Sequence, residues 1–250
     1  VTSKEIQEMC SGKSPSRTIG DLFWKELDWI AIKKELGEIN IFDTGCGAGN
    51  YGLMLNHFAN GINSYKGIDF KERSSWSGLM KKYKFLSFEE SSSSNVEKLF
   101  KKDSNLLITQ SAIEHFDKDL EYFYQIRNLI KKSKNNILQI HLFPSPACLW
   151  LYLFHGIRQY NINSINKIVS IFNNTKSYIR IYPLGGDQLN KVHFRNITFP
   201  RLIGKSINLN SCKYKLEIEK ALGFDNQRFS KNPSFYALII HSNYKNKIFI

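Results

Sequence analysis

Short apolar and β-branched runs alternate along this chain with longer stretches whose apolar residues recur every three or four positions. The first pattern suits buried strands and the second amphipathic helices. Strands are predicted at "INIFD" (39–43), "YKGID" (65–69), "KFLSF" (84–88), "NLLIT" (105–109), "ILQIHLF" (137–143), "SYIRIY" (177–182) and "PSFYALIIHS" (233–242). Helices are predicted at 20–36, where Leu22, Phe23, Leu27, Ile30 and Ala31 fall near one face with Asp21 in the first turn, and at 118–132 and 162–172. Strands that alternate with helices imply an α/β fold with a mostly parallel sheet and helices on both faces. The pattern weakens after residue 143, and "PLGGDQLNKVHFRNITFPRLIGKSINLN" reads as a long turn-rich insertion. Elaborations of that size in a compact domain usually have a task, often in binding.

Length changes this picture little: 250 residues suit one α/β domain. The expected organisation is a single domain over 1–250, with a helical N-terminal segment (1–36) and an acceptor-side elaboration at about 144–233. Cys10, Cys46, Cys148 and Cys212 are scattered without a C-x-x-C pair, which favours a reducing, cytoplasmic setting over a disulfide framework or zinc site. The polar start "VTSKEIQEMCSGKS" lacks the apolar stretch of a signal peptide. "ACLWLYLF" (147–154) is too short for a bilayer, which needs ~20 residues. It reads as a buried helix, with a lid over a substrate or a peripheral membrane contact as alternatives.

The net charge of +13 raises the question of a nucleic-acid partner. The lysine pairs 33–34, 81–82, 101–102 and 131–132 lie apart, most near predicted helix ends, where they suit the helix dipole. No arginine-rich run or aromatic RNA-binding motif accompanies them, so no specific nucleic acid is expected.

Chemistry concentrates in "IFDTGCGAGNYG" (41–52), where a strand meets a glycine-rich turn and then a helix. Such a turn offers free backbone N–H groups and close approach to the chain. Gly47, Gly49 and Gly52 match G-x-G-x-x-G, and Asp69 follows Gly49 by twenty residues, the interval of an acid that binds ribose hydroxyls. That suits NAD and S-adenosylmethionine equally. Asp43 separates them. A carboxylate at the strand end repels a pyrophosphate but suits the ammonium of a methionine moiety. No tyrosine has a lysine four residues later, as a short-chain dehydrogenase would require.

"FDTGCGAGNYG" resembles motif I of the class I S-adenosylmethionine-dependent methyltransferases, and "YKGIDF" resembles their second-strand motif. "LLITQSAIEHF" is similar to the fourth-strand stretch of the branch that methylates small molecules. The resemblance covers residues 20–143, and the last strand matches the reversed final strand of that fold. It implies a Rossmann-like, seven-stranded sheet and S-adenosylmethionine as cofactor. Carried over, Asp43 and the Gly45–Cys46–Gly47–Gly49 backbone hold the methionine portion. Asp69 takes the ribose hydroxyls with Phe70 beside the adenine, and Gln110 and Ser111 lie near the sulfonium. The acid that often meets the adenine amino group has no clear equivalent beyond Glu89 or Glu90.

The (Asn/Asp)-Pro-Pro-aromatic stretch of nucleic-acid amino methyltransferases is missing, since "TQSAIEHF" stands in its place. A small-molecule acceptor follows, and for a hydroxyl the protein must remove a proton. His115 and His141 follow strands whose carboxyl ends bind ligands in open α/β sheets, and His141 is preferred as base. His155 and His193 are further candidates, and Glu114 would orient His115 or act on the cofactor side. Asp187, His193 and Arg195 would grip a polar acceptor. No residue set has metal-ligand spacing, so no metal is expected. The polar insertion favours O-methylation of a sugar or other polyhydroxyl compound, as in surface-polysaccharide assembly. The apolar run at 147–154 favours a lipid- or quinone-like acceptor instead. An RNA-binding or catalytically silent module on the same fold is the alternative of another class. Oligomeric state is not legible.

Overall fold

A computed structural model describes residues 2–151, 158–205, 207–227 and 232–248. Its seven strands are β1 (Asn40–Thr44), β2 (Ser64–Asp69), β3 (Leu86–Glu90), β4 (Leu106–Gln110), β5 (Ile137–Pro144), β6 (Ser177–Leu184) and β7 (Phe235–Ser242). They form one sheet in the order β3-β2-β1-β4-β5-β7-β6. The β3, β2, β1, β4 and β5 neighbours pair in parallel, and antiparallel pairing is confined to the C-terminal end. The seven predicted strands are therefore present, most with bounds shifted by one or two residues. β1, β4 and β5 are buried at every position, which is why they read as continuous apolar runs.

Within the chain, contacts gather the residues into two compact units. One comprises 28–142, 162–181 and 238–250 and contains the larger part of the sheet. Helices Asn50–Phe58, Ser75–Lys82, Asp119–Lys132 and Ile162–Ile171 belong to it. Its first helix, Trp29–Leu36, is anchored by buried Glu35, whose carboxylate accepts the backbone N–H groups of Lys245 (2.6 Å) and Asn246 (3.0 Å).

The other unit comprises 1–27, 143–161 and 182–237 and is mainly helical. Helices Ser3–Met9, Pro15–Glu26, Asp187–His193 and Cys212–Gln227 enclose a core that includes Cys10, Ile19, Leu22, Leu189, Tyr214 and Ile218. Much of the supposed turn-rich insertion is therefore helical. The start of helix Asp187–His193 draws its cap from a distance: Asp225 accepts the N–H groups of Gln188 and Leu189 at 3.1 and 2.9 Å. A local reading could not find that partner.

The predicted helix 20–36 is two helices. Leu27 is extended (φ −60°, ψ 141°), and the Asp28 side chain accepts the Ala31 N–H at 2.9 Å to start the second. Asp21 lies mid-helix, buried and paired with Lys13 at 2.7 Å, rather than in a first turn. The proposed common face fails at Ile30, which is 83% exposed. In the run 147–154, Pro146–Leu149 forms a single 3₁₀ turn, and residues 152–154 lie outside the described residues.

Candidate functional site

β1 lies between β2 and β4, so the connections leaving the carboxyl ends of β1 and β4 part company there, and an open crevice forms at such a point. The chain leaves β1 through Gly45, Gly47 and Gly49, all with positive φ, before helix Asn50–Phe58 begins. At Gly45 a side chain is excluded twice: φ is +82°, and a Cβ would stand 2.4 Å from that of Ala112. At Gly47 (φ +54°) no atom lies within 4 Å of the Cβ position, so its missing side chain leaves the backbone open to a ligand.

Asp43 is the penultimate residue of this strand and lies inside the protein, 1% exposed. Its Oδ2 accepts the Tyr65 hydroxyl at 2.5 Å, while Oδ1 has no hydrogen-bond partner among the described residues. Burial pushes its pKa up to about 7, the Tyr65 hydrogen bond opposes that rise, and the charge of Asp69 adds to it. Cys46, buried beside it, is held as a thiol by the same desolvation and by the two carboxylates.

Asp69 ends β2 and reaches back to the loop. Its Oδ2 accepts the Gly47 N–H at 2.8 Å, and its Oδ1 meets Arg73 at 3.3 Å. A carboxylate has about four acceptor positions, so capacity remains for a further donor. Phe70 follows with its ring 75% exposed and the Arg73 guanidinium 5.7 Å from the ring centre. Of the two adenine-side candidates, Glu89 pairs with Lys66 at 2.8 Å and Glu90 accepts the Glu72 N–H at 2.8 Å.

At the end of β4, Gln110 is buried and donates to Ser111 Oγ at 3.4 Å. Ser111 has φ +48°, which costs a non-glycine residue roughly 1–2 kcal/mol, and its N–H bonds to the Leu142 carbonyl at 2.9 Å. Backbone of this kind persists where surrounding structure dictates it, often at functional sites. The following 3₁₀ turn, Ile113–His115, buries Glu114 and leaves His115 exposed.

His141 does not face a crevice. Its side chain is fully buried, 3.0 Å from the Thr109 hydroxyl and packed edge-on against Phe123 and Tyr122. Burial lowers its pKa to about 3. The strand-end position that suggested a base places the side chain in the core, because β5 is covered along its whole length.

The three residues expected to grip an acceptor all lie in the helical unit and have separate partners. Asp187 accepts from Asn232 at 2.9 Å, and Arg195 pairs with Glu217 at 2.9 Å. His193 is buried with its Nδ1 3.3 Å from the Thr198 hydroxyl, and burial lowers its pKa to about 4. His155 lies outside the described residues.

Sequence reasoning missed Tyr65 and Trp76. Trp76 is buried, stacks on Phe88 and donates its indole N–H to the Gly47 carbonyl at 2.8 Å, while Ser75 donates to the Ala48 carbonyl at 2.9 Å. Donors 27–29 residues away thus hold two loop carbonyls. Nothing at that separation signals the contact in the sequence. The loop N–H groups are also engaged within the protein: Gly45 and Cys46 donate to the Ile68 carbonyl at 2.8 and 3.1 Å, Gly47 to Asp69 and Gly49 to the Cys46 carbonyl at 3.0 Å.

This architecture is the fold of the class I S-adenosylmethionine-dependent methyltransferases. No family model matches the chain, and no curated protein matches its sequence significantly. Among solved structures, the plantazolicin methyltransferase BpumL, in complex with a triazolic desmethylPZN analogue and SAH, is 15% identical; the match covers 92% of this chain and 85% of that one, with a TM-score of 0.54. A SAM-dependent methyltransferase from Archaeoglobus fulgidus is 16% identical over 87% of this chain and 94% of that one, with a TM-score of 0.50. The [4+2]-cyclase SpnF is 8% identical over 86% of this chain and 79% of that one, with a TM-score of 0.54. At such identities the likeness establishes the fold, and SpnF is a cyclase on the same fold.

Proposed function

We propose that the protein binds S-adenosylmethionine and transfers its methyl group to a small molecule. One observation carries the reading: a buried carboxylate, Asp43, has an oxygen without a partner among the described residues and stands two residues before a glycine loop whose Gly47 and Ala48 carbonyls are tied down. A positively charged amino group satisfies such an oxygen, whereas a pyrophosphate is repelled by it. Asp43 would take the methionine ammonium, with the Gly45–Gly49 backbone beside it. Asp69 would take the ribose hydroxyls, and the exposed ring of Phe70 would lie against the adenine. Gln110 and Ser111 would lie near the sulfonium. When bound, the cofactor supplies a methyl group already activated for displacement.

For a hydroxyl acceptor we assign proton removal to His115, which is exposed after β4, with buried Glu114 beside it in the turn. His141 loses support as base, since its ring is hydrogen-bonded to Thr109 and enclosed edge-on by Phe123 and Tyr122. A sugar or polyhydroxyl acceptor rested on Asp187, His193 and Arg195, whose separate partners give it little support. A lipid- or quinone-like acceptor is the alternative, resting on the apolar run that begins at Ala147. A cytoplasmic location belongs to the same proposal and rests on cysteine usage; no helix among the described residues is long and apolar enough to cross a membrane.

Calorimetry with S-adenosylhomocysteine tests the reading. Binding is expected, and Asp69→Ala should weaken it by roughly 1–3 kcal/mol, as for lost hydrogen bonds to a charged group. Tight NADH binding with no response to S-adenosylhomocysteine would overturn it. A silent or RNA-binding module on this fold predicts no turnover of any acceptor, or steeply salt-dependent RNA affinity.

A further inference from the structure

Two segments of the helical unit present an apolar surface to solvent. Leu149, Trp150, Phe194, Phe199, Leu202 and Ile203 are between 42% and 69% exposed. The segments are joined: the Thr198 hydroxyl donates to the Leu151 carbonyl at 2.8 Å. The rings of Phe194 and Phe199 lie 6.4 Å apart. They flank a π-helical turn, Phe194–Thr198, that links helix Asp187–His193 to the short helix Phe199–Leu202. Pro200 in that second helix has no N–H to give to the turn before it. The surroundings are basic. No Asp or Glu occurs between positions 188 and 216, while Lys191, Arg201 and Lys205 are exposed and Arg195 pairs with Glu217.

A concentrated apolar surface of this kind marks an interaction site. Its chemistry selects among partners. A second copy on a two-fold axis would bring the same basic rim against itself. Single-stranded RNA would use stacked aromatic rings, but Leu149, Leu202 and Ile203 offer none. Aromatic and aliphatic side chains within an acid-free basic rim match the boundary between anionic headgroups and acyl chains. We infer that this face docks on the surface of an anionic lipid bilayer. Trp150, Phe199 and Leu202 enter the headgroup region, and Arg201 and Lys205 meet the lipid phosphates. The inference is independent of methyl transfer.

The test uses the full chain with vesicles of phosphatidylcholine alone or mixed with phosphatidylglycerol. Co-sedimentation with the mixed vesicles is expected, weaker with the neutral ones. The double variant Phe199→Ser/Leu202→Ser should lower binding about tenfold or more, through lost apolar burial. Arg201→Glu/Lys205→Glu should lower it by about tenfold, through lost attraction to the surface. Bromine-labelled lipid should quench tryptophan emission in the unaltered chain, and Trp150→Phe should remove that quenching. Circular dichroism checks folding, and if the double serine variant unfolds, the quenching and charge variants decide. Failure to bind mixed vesicles overturns the inference. So does binding that ignores the serine substitutions, which would reflect net charge alone. RNA that displaces the vesicles through the same residues, or a dimer abolished by the same substitutions, assigns the face to another partner and equally overturns it.

Discussion

The Tyr65 hydroxyl donates to Asp43 across 2.5 Å in the buried interior of the sheet, one strand away from the carboxylate it serves. The tyrosine fits there because helix Asn50–Phe58 approaches with a glycine. A Cβ at Gly52 would stand 3.2 Å from the Tyr65 ring. Through this bond Tyr65 fixes one oxygen of Asp43 and keeps its pKa below what burial alone would impose.

Tyr65→Phe keeps the ring and removes the donor. Asp43 is ionised above a pKa raised to about 7, so affinity for an ammonium-bearing ligand should rise as pH passes upward through that value. Without the tyrosine donor the rise should move to higher pH. Near pH 7, S-adenosylhomocysteine should bind roughly 3- to 10-fold more weakly, the equivalent of about 1 kcal/mol. Methylthioadenosine, which lacks the amino acid, should bind both proteins alike. Titration calorimetry across pH measures this, and an unshifted curve counts against the role of Tyr65.

Gly45→Ala should destabilise the protein by about 2–3 kcal/mol, combining left-handed strain with overpacking. The clash is with Ala112 Cβ, 2.4 Å from the position the new methyl would occupy. Adding Ala112→Gly should restore part of the loss, because it relieves the contact and leaves the φ of +82°. Urea unfolding of the three variants gives the comparison. No rescue would place the whole cost in the backbone.

The two histidines after β4 and on β5 should separate by their effects. His141→Ala opens a cavity against Phe123, Tyr122 and Thr109 and should cost about 2–4 kcal/mol in stability. His115→Ala removes an exposed side chain and should change stability by no more than about 0.5 kcal/mol. For a hydroxyl acceptor it should cut turnover by about 10²–10⁴-fold. A stable His141→Ala protein with that kinetic defect would return the base to β5.

Acid should weaken the fold before carboxylates titrate in bulk. His141, His193 and His241, the last buried on β7, have values lowered by burial from 6.5 to about 3, 4 and 4. Each contributes stability that is complete above the unfolded value near 6.5 and lost as pH falls toward the folded one. Asp43 opposes them. Its value is raised from 3.8, so its contribution is full below that and lost as pH rises through about 7. Three groups against one predict that the urea midpoint climbs between pH 4 and 6.5. Asp43→Asn should make the climb steeper; a flat profile would refute the assignment.

Local pattern determined much of this protein. Buried strands such as β1, β4 and β5 announce themselves as apolar runs, and the half-exposed β3 and β6 were legible from their β-branched and aromatic residues. The turn after β1 was legible because positive φ selects glycine, and Asp43 and Asp69 because strand ends place acids beside that turn. The break at Leu27–Asp28 was not, since the 3.6-residue pattern runs on through a cap that only geometry reveals. Nor was the character of residues 187–227, whose first helix takes its cap from Asp225 and whose core is completed by residues near the N-terminus. Tertiary structure alone decided which side chains serve the loop. Tyr65 and Trp76 reach it across 22 and 29 residues, and a hydrogen bond leaves no periodicity behind. It also decided between histidines that the chain presents alike. Position at a strand end is a property of sequence order, but exposure depends on what packs over that end. The helix carrying Tyr122 and Phe123 covers His141, while His115 is exposed.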